Sequence, residues 1–387
     1  MNILVLHNAY REAGGEERAV ETEVGLLRAA GHTVRLETVS NTTLDHTPAA
    51  LSALLRVGGD PQRAAWVRDL IHASSAEIVH VHNFFPLLTP SVHAAARAQG
   101  VGVVQTLHNV RLLCAASSFM RAGQSCTKCA GGALHWGAVH RCYRGSLPAS
   151  IGLWHMQRQR RKLMRDVHRF ITLTDVARQH FLRGGFPPDR LVVKGNTAPR
   201  PARPSGQRRG VLYAGRLTTE KGLLDLLAAA RTLPDIPVTV VGGGPLEPLL
   251  HAEAPGNMAL LGYRPTEEVA RLMASSALLV VPSIGAEGFP LVLAEAFACG
   301  LPVLTSDQPE LIEIAGPTLA GARFRRGDAI DLAGRIGDLL ADPARLAQLS
   351  IAALERYETF CNPDMNRRAL ERIYAEARDL ARHEREF

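Results

Sequence analysis

Short apolar runs alternate with amphipathic helical stretches along the chain, and the alternation restarts after a segment rich in Pro and Arg at residues 196–209. Strands that alternate with helices predict parallel sheets joined by crossover helices. The predicted strands are residues 3–6, 33–39, 78–82, 102–106 and 170–173 before this segment, and 211–213, 238–241, 259–261, 278–281 and 302–305 after it. Because 387 residues exceed one ordinary core, we expect two α/β domains with a ligand cleft between them.

The composition favours a soluble globular protein. Hydrophobic residues make up 46% of the chain, mean hydropathy is near zero, and no apolar run approaches the roughly 18 residues of a spanning helix. The first residues carry no basic segment, so we expect no signal peptide, a cytoplasmic location and six reduced cysteines. The net charge of +7 suits anionic substrates or an anionic membrane surface, although an Arg-rich composition explains it equally well.

Two carboxylates, Glu287 and Glu295, stand eight residues apart around a predicted strand-loop-helix junction. A predicted helix over residues 291–299 follows the loop, and Pro290 suits its first turn. Free N–H groups and the helix dipole at such a junction attract anions. Backbone N–H groups that bind phosphate, next to two carboxylates that bind hydroxyls, together indicate a site for a sugar nucleotide.

A second strand-to-helix junction carries two cations. Gly215 closes the predicted strand, Arg216 follows it, and Lys221 begins the next helical stretch. A guanidinium and an ammonium five residues apart suit a diphosphate, although an ordinary solvated loop has the same composition. The glycines around Gly243 would permit close backbone approach, but Glu247 stands where a dinucleotide fingerprint requires glycine.

The first half of the chain offers a glycine loop and a histidine. Gly14 and Gly15 lie between the first strand and the first helix, where N–H groups can approach a phosphate, and a plain tight turn competes with this interpretation. The segments with His80, His82 and Asn83 and with His108 and Asn109 each end a predicted strand, and such ends face the ligand crevice of parallel sheets. A single histidine is nevertheless more often structural than catalytic. His108 is favoured because a polar loop follows it.

Taken together, these residues resemble the retaining glycosyltransferases of family 4, whose architecture of two Rossmann-like domains is called GT-B. The pair Glu287 and Glu295 resembles the E-x7-E motif of that family and is the most specific feature. The resemblance implies an acceptor-binding domain at 1–198 with a Cys-rich insertion at about 110–145, a nucleotide-sugar-binding domain at 207–364, and a terminal helix at 365–387 that crosses back to the first domain.

The resemblance also implies roles for individual residues. Glu287 would contact hydroxyls of the donor sugar, Glu295 the ribose hydroxyls, and Arg216 with Lys221 the leaving diphosphate. The catalytic residues would be His108, Arg216, Lys221 and Glu287. The donor-binding residues would be Gly14, Gly15, Gly215, Arg216, Lys221, Gly243, Glu287, Gly288, Phe289, Pro290, Leu291 and Glu295.

The chain contains no Asp-x-Asp motif of the kind that holds a catalytic metal in the other major glycosyltransferase fold. Fixed cations and a helix N-terminus can stabilise a leaving diphosphate instead. We therefore expect catalysis without a required cofactor. Retention is implied by the family resemblance, either through attack on the same face or through a covalent intermediate on Glu287.

Four of the six cysteines fall in one stretch, Cys114, Cys126, Cys129 and Cys142. With His135 and His140 nearby, this set is a candidate structural zinc site that would order an acceptor-recognition loop. Small hydrophobes without a partner and a redox pair are the competing interpretations.

A basic stretch at residues 157–165, extended by Arg169, is predicted to be helical. It could dock on anionic lipid at the inner face of the cell membrane, or simply form a solvated face.

We interpret the sequence as that of a glycosyltransferase that moves a hexosyl unit from a UDP- or GDP-linked sugar to a saccharide or lipid-linked acceptor, in polysaccharide or glycoconjugate biosynthesis. A GT-B nucleotide-sugar epimerase is one alternative. A non-catalytic module that binds nucleotides or nucleic acid is another. The basic stretch lacks interleaved aromatic residues, so we expect no nucleic-acid partner.

Overall fold

The structure, a computed structural model, describes residues 1–10, 14–44, 53, 56–201, 208–316 and 321–386. The chain divides into two compact units, Met1–Gly195 with Asp364–Phe387, and Asn196–Pro363. The predicted end of the first domain, at 198, lies three residues further along the chain, the predicted start of the second, at 207, eleven residues further, and its predicted end, at 364, one residue further.

The first unit contains a parallel sheet of six strands. Its strands are β1 (Asn2–Ala9), β2 (Thr33–Ser40), β3 (Ile78–Val81), β4 (Gly102–Leu107), β7 (Arg169–Thr172) and β8 (Leu191–Val193), while β5 (Met120–Arg121) and β6 (Gln124–Ser125) form a separate hairpin. The order across the sheet is β2-β1-β3-β4-β7-β8. Its helices are α1 (Gly15–Ala29), α2 (Pro61–Ser74), α3 (Ser91–Ala98), α4 (Trp136–Val139), α5 (Leu147–Arg158), α6 (Arg160–Asp166) and α7 (Asp175–Arg183).

The second unit contains another parallel sheet of six strands. Its strands are β9 (Val211–Ala214), β10 (Val238–Val241), β11 (Met258–Leu260), β12 (Leu278–Val281), β13 (Val303–Ser306) and β14 (Gly321–Phe324). Its helices are α8 (Leu223–Arg231), α9 (Glu247–Glu253), α10 (Thr266–Ser275), α11 (Leu291–Ala298), α12 (Pro309–Ala315), α13 (Ala329–Leu340) and α14 (Pro343–Arg356). The order β11-β10-β9-β12-β13-β14 places a topological switch point between β9 and β12, where such sheets bind ligands.

The last helix, α15 (Pro363–Glu386), completes the core of the first unit. Its Leu370, Ile373, Tyr374 and Ala377 are buried in one cluster with residues of β1, α1, β3 and β4. The contact is close, since a Cβ at Gly102 would lie 2.9 Å from the backbone nitrogen of Arg378. Glycine at this strand start therefore lets the helix backbone rest directly on the sheet.

The structure confirms the predicted strands and their parallel arrangement, and it corrects two predictions. The basic stretch is not one helix, because a turn at Gln159 separates α5 from α6, and Arg169 lies in strand β7 beside the buried Phe170. The start of the predicted linker is packed into the second unit, where Asn196 donates to the Phe289 carbonyl at 3.3 Å and the Ala198 carbonyl accepts from the Tyr357 hydroxyl at 3.0 Å. The linker residues 202–207 lie outside the described residues.

Candidate functional site

Three loops meet at the carboxyl ends of β9, β10 and β12 in the second unit. They approach so closely that side chains are excluded at three positions. A Cβ at Gly222 would lie 1.9 Å from the carbonyl oxygen of Pro282, and a Cβ at Gly242 would lie 1.9 Å from the carbonyl oxygen of Gly215. A Cβ at Gly244 would lie 2.6 Å from the carbonyl oxygen of Leu217. All three glycines have positive φ, which other residues rarely adopt. The glycines therefore hold the loops together as one cradle.

An ion pair joins two of these loops. The Lys221 ammonium lies 2.7 Å and 2.8 Å from the two carboxylate oxygens of Glu287. The two side chains are only 21% and 10% exposed, so water screens the pair weakly. The structure thus brings together two residues that the sequence placed 66 positions apart and assigned to one site.

The remaining residues predicted in this unit lie in the same loops or in the helix α11 that follows them. Arg216 is exposed just after β9, and its carbonyl accepts a hydrogen bond from the Tyr213 hydroxyl at 2.7 Å. Pro290 caps the N-terminus of α11, and Glu295 lies half-buried within this helix. Phe289 is buried and stacks on Phe360, which fixes the loop before the helix. The same three loops contain the predicted Gly215, Gly243 and Gly288, and Leu291 is the first residue of α11.

In the first unit, carboxylates already occupy the glycine turn before α1. Gly14 is the N-cap residue, and its N–H donates to Glu17 at 2.8 Å, while the N–H of Tyr10 donates to the other Glu17 oxygen at 2.9 Å. Burial opposes ionisation of Glu17, but the His7 ring at 3.5 Å and the hydrogen bonds from these N–H groups lower its pKa to about 2. An anion at Gly14 would therefore have to displace an ionised side chain, whereas Gly15 is exposed.

His108 follows β4 and contacts a second histidine. Its Nε2 lies 2.9 Å from Nδ1 of His82, which follows the neighbouring strand β3. Burial, together with the positive charges of His7 and Lys194, lowers the pKa of His108 to about 3, and burial also holds the pKa of His82 well below its usual range. Both rings are therefore neutral at neutral pH, so one nitrogen donates and the other accepts.

A cluster that the sequence analysis missed lies beside His108. Tyr10 donates to Glu16 at 3.1 Å, and the guanidinium of Arg111 donates to the Tyr10 oxygen at 3.1 Å. Glu16 and Arg111 line the same cavity as His108 and Asn109. Burial raises the pKa of Glu16, against the opposing charges of His7 and Arg111. The proximity of Arg111 to His108 in the chain was the available signal, but nothing in the sequence placed Tyr10 beside it.

One trio within the described residues has metal-ligand atoms that all lie within 4.8 Å of one another, namely Glu23, His80 and His82. Its groups are engaged elsewhere. Glu23 is paired with the Lys194 ammonium, and the two His80 nitrogens lie 2.8 Å and 2.7 Å from the hydroxyls of Tyr374 and Thr106. A buried ammonium at the carboxylate opposes a cation there. This trio is therefore best explained as a hydrogen-bonded part of the core.

Two family profiles cover most of the chain. The profile described as a glycosyl transferase 4-like domain matches residues 14–197, and the profile described as glycosyl transferases group 1 matches residues 197–356. The chain belongs to the family 4 type of glycosyltransferases. The membership favours a transferase over the epimerase and the binding module.

Two relatives show how far the similarity reaches. The amylovoran biosynthesis glycosyltransferase AmsK of Erwinia amylovora is 32% identical over 177 residues, which are 42% of this chain and 44% of that protein. The alpha-maltose-1-phosphate synthase of Mycolicibacterium smegmatis is 26% identical over 316 residues, 74% of this chain and 75% of that protein. The match to AmsK thus spans less than half of that relative.

A solved structure shows the same fold. The Anabaena protein Alr3699/HepE, in complex with UDP, superimposes with a TM-score of 0.70 at 16% identity, over 97% of this chain and all of that chain. Identity this low carries the fold alone. The fold is therefore GT-B, as the sequence analysis expected. The described residues include no helix long and apolar enough to cross a membrane.

Proposed function

We propose that this glycosyltransferase transfers a hexosyl unit from a nucleoside diphosphate sugar to a saccharide or lipid-linked acceptor, with retention of configuration. The observation that carries the proposal is the contact between Lys221 and Glu287 at the switch point of the second sheet. It brings a cation for phosphate and a carboxylate for sugar hydroxyls into one cradle. The UDP in the HepE structure supports a uridine nucleotide as the first donor to test.

The charges of the site suggest how the donor reacts. When the bond from the sugar to the diphosphate breaks, negative charge grows on the diphosphate. Arg216, Lys221 and the first N–H groups of α11 would stabilise that charge, because fixed cations and dipoles need no reorganisation during the reaction. This arrangement requires no divalent metal. Full activity without added Mg²⁺ or Mn²⁺ is the expected result, and a strict requirement for either ion would contradict it.

Retention is proposed to proceed by attack on the same face of the sugar, with a diphosphate oxygen accepting the proton of the acceptor. Lys221 neutralises Glu287 and so makes this carboxylate a weaker nucleophile. The anomeric configuration of the product, followed by NMR from the first turnovers, tests retention. A covalent sugar adduct trapped on Glu287 would contradict the same-face route.

Calorimetry with a panel of UDP- and GDP-linked sugars tests the donor proposal. One donor should bind tightly, and the variants Arg216→Ala and Glu295→Ala should each lose that binding. Arg231→Ala is a matched control, because Arg231 pairs with Glu253 on the surface of the same unit, where both side chains are 48% exposed. Failure of every donor to bind the natural protein would overturn the proposal.

The surface of the first unit supports a membrane-bound acceptor. Leu147, Ile151 and Arg158 are exposed at helical spacing along α5, and Arg158 stacks on Trp154 of the same stripe. Trp136 and Val139 of α4 are exposed as well. Apolar and aromatic side chains flanked by cations are typical of helices that lie in an anionic membrane surface.

Flotation with vesicles of anionic lipid tests this contact. The double variant Leu147→Glu, Ile151→Glu should lose binding while it retains donor affinity, because the donor residues lie in the other unit. Ile330→Glu, on an exposed position of the second unit, should still float. The proposed membrane contact would be wrong if the natural protein and both variants floated equally, or if the natural protein did not float with anionic lipid.

A further inference from the structure

Residues 114–142 form a segment of unusual architecture directly after β4 and His108. The hairpin β5–β6 turns through Ala122 and Gly123, both at positive φ, and the N–H of Cys126 closes it onto the Phe119 carbonyl at 2.7 Å. Short turns and the single-turn helix α4 follow. The segment thus contains little regular structure to hold its shape.

The four cysteines of this segment lie around one cavity. Cys114, Cys126, Cys129 and Cys142 line one small cavity, together with His140. The Nε2 atom of His140 is buried and has no hydrogen-bond partner among the described residues. A polar atom without a partner costs free energy unless a ligand or water satisfies it. Its position at the wall of a thiol-lined cavity points to a ligand that accepts sulfur and nitrogen donors.

The backbone of the segment is strained. Of the seven non-glycine residues with positive φ in the described chain, five lie between positions 117 and 144: Ser117, Phe119, Ala122, Arg141 and Arg144. Each such residue costs free energy, which something in the folded state must offset. A bound metal is a suitable source of that free energy.

We infer that Cys114, Cys126, Cys129 and Cys142 bind one structural zinc ion, with His140 adjacent to the metal. Four thiolates in tetrahedral geometry are typical of structural zinc sites, and the Cys-x-x-Cys pair supplied by Cys126 and Cys129 has the usual ligand spacing. Zinc would fix the segment that links His108 to the exposed Trp136 and Val139.

Metal binding requires the sulfurs to approach one another. Tetrahedral zinc with bonds of about 2.3 Å places its sulfurs about 3.8 Å apart. Among the described residues, only Glu23, His80 and His82 have three metal-ligand atoms that all lie within 4.8 Å of one another. No three of the four cysteine sulfurs are that close together. Zinc would therefore draw the hairpin, the Cys-x-x-Cys turn and the end of α4 together, and its removal should loosen all three.

The test is the metal content of the full-length protein purified without chelator. We expect about one zinc per chain by mass spectrometry. Exchange for cobalt should give the intense thiolate-to-cobalt absorption of a tetrahedral site. Cys126→Ser with Cys129→Ser should lose the metal, whereas Cys299→Ser, a buried thiol of the second unit, should retain it.

If the double variant fails to fold, chelation experiments on the natural protein still test for the zinc site. Chelation should release the zinc, expose four alkylatable thiols and accelerate proteolysis within residues 110–146. UDP-sugar binding by the second unit should persist, so this result is separable from the donor proposal. Three results would each overturn the inference: no zinc together with four free thiols, a disulfide between any two of these cysteines, or one bound iron per chain in place of zinc.

Discussion

At the scale of single residues, the most consequential contact is that between Lys221 and Glu287. Each side chain was assigned to the donor, one to its phosphates and one to its sugar, yet in the structure they bind each other. The pair keeps two largely buried charges neutralised and positioned. Donor binding would then exchange part of this contact for contacts with phosphate and hydroxyl.

Replacing Lys221 with Met should therefore harm both the site and the reaction. It leaves Glu287 largely buried without its counter-charge and removes a cation from the leaving group, so we expect kcat to fall about 100-fold or more. Steady-state kinetics with the preferred donor provide the measurement, and Arg231→Ala is the control. A rise in KM with unchanged kcat would show that Lys221 contributes uniform binding rather than stabilisation of the transition state.

A second prediction at this scale concerns acid stability. Burial holds the pKa of His93 at about 4 and of His108 at about 3, and places His80 and His82 well below their usual range. Unfolded histidines titrate near 6.5, so below that pH the unfolded state binds more protons and stability falls, by roughly 1.4 kcal/mol per pH unit for each group. Above pH 6.5 these groups have no effect.

Thermal unfolding between pH 5 and pH 8 checks this expectation. The melting temperature should be flat above pH 6.5 and should decline towards pH 5, before the carboxylates titrate. His93→Gln should reduce the slope, because it removes one of the buried rings, while the exposed His251→Gln should leave it unchanged. A melting temperature that rises on acidification would contradict the burial of neutral rings.

At the scale of elements, the cradle that we propose binds the donor depends on glycines that allow three loops to touch. Gly242→Ala should push the loop after β10 away from Gly215, since its Cβ would lie 1.9 Å from that carbonyl at a φ of +134°. We expect loss of measurable donor binding and a lower melting temperature. Gly256→Ala has open space around its Cβ and serves as the control. Normal donor affinity of the Gly242 variant would show that the loops do not form the cradle together.

The elements also show how far the sequence could lead. Strand positions and the loop at Glu287 were predictable, because apolar runs and strand-to-helix junctions are local patterns. The capping of α1 by Glu17, the cluster of Tyr10 with Arg111, and the break at Gln159 were not predicted. The first is a local capping box between Gly14 and Glu17 that the sequence analysis overlooked. The second arises from a contact between loops, and the third from a turn inside a stretch whose composition is helical throughout. Local patterns carry no information on which loops meet across a sheet edge.

At the scale of the whole molecule, the chain makes two units of unequal autonomy. The second is continuous, from Asn196 to Pro363, and has its own core. The first needs both ends of the chain, because α15 contributes Leu370, Ile373, Tyr374 and Ala377 to its core. Tyr374 also satisfies the buried His80. The buried histidine of β3 therefore depends on a residue nearly three hundred positions away.

This asymmetry predicts different outcomes for fragments. Residues 196–363 alone should melt cooperatively and bind the preferred UDP- or GDP-linked sugar, because Arg216, Lys221, Glu287 and Glu295 all lie within them. Residues 1–363, which lack nearly all of α15, should show one cooperative transition with the first unit unfolded or aggregated, since loss of four buried apolar side chains costs on the order of 8 kcal/mol or more. Calorimetry of both fragments and the full chain is the measurement. Adding residues 364–387 as a separate peptide is the control and should restore the second transition. A stable first unit in residues 1–363 would mean that α15 covers a core already complete without it.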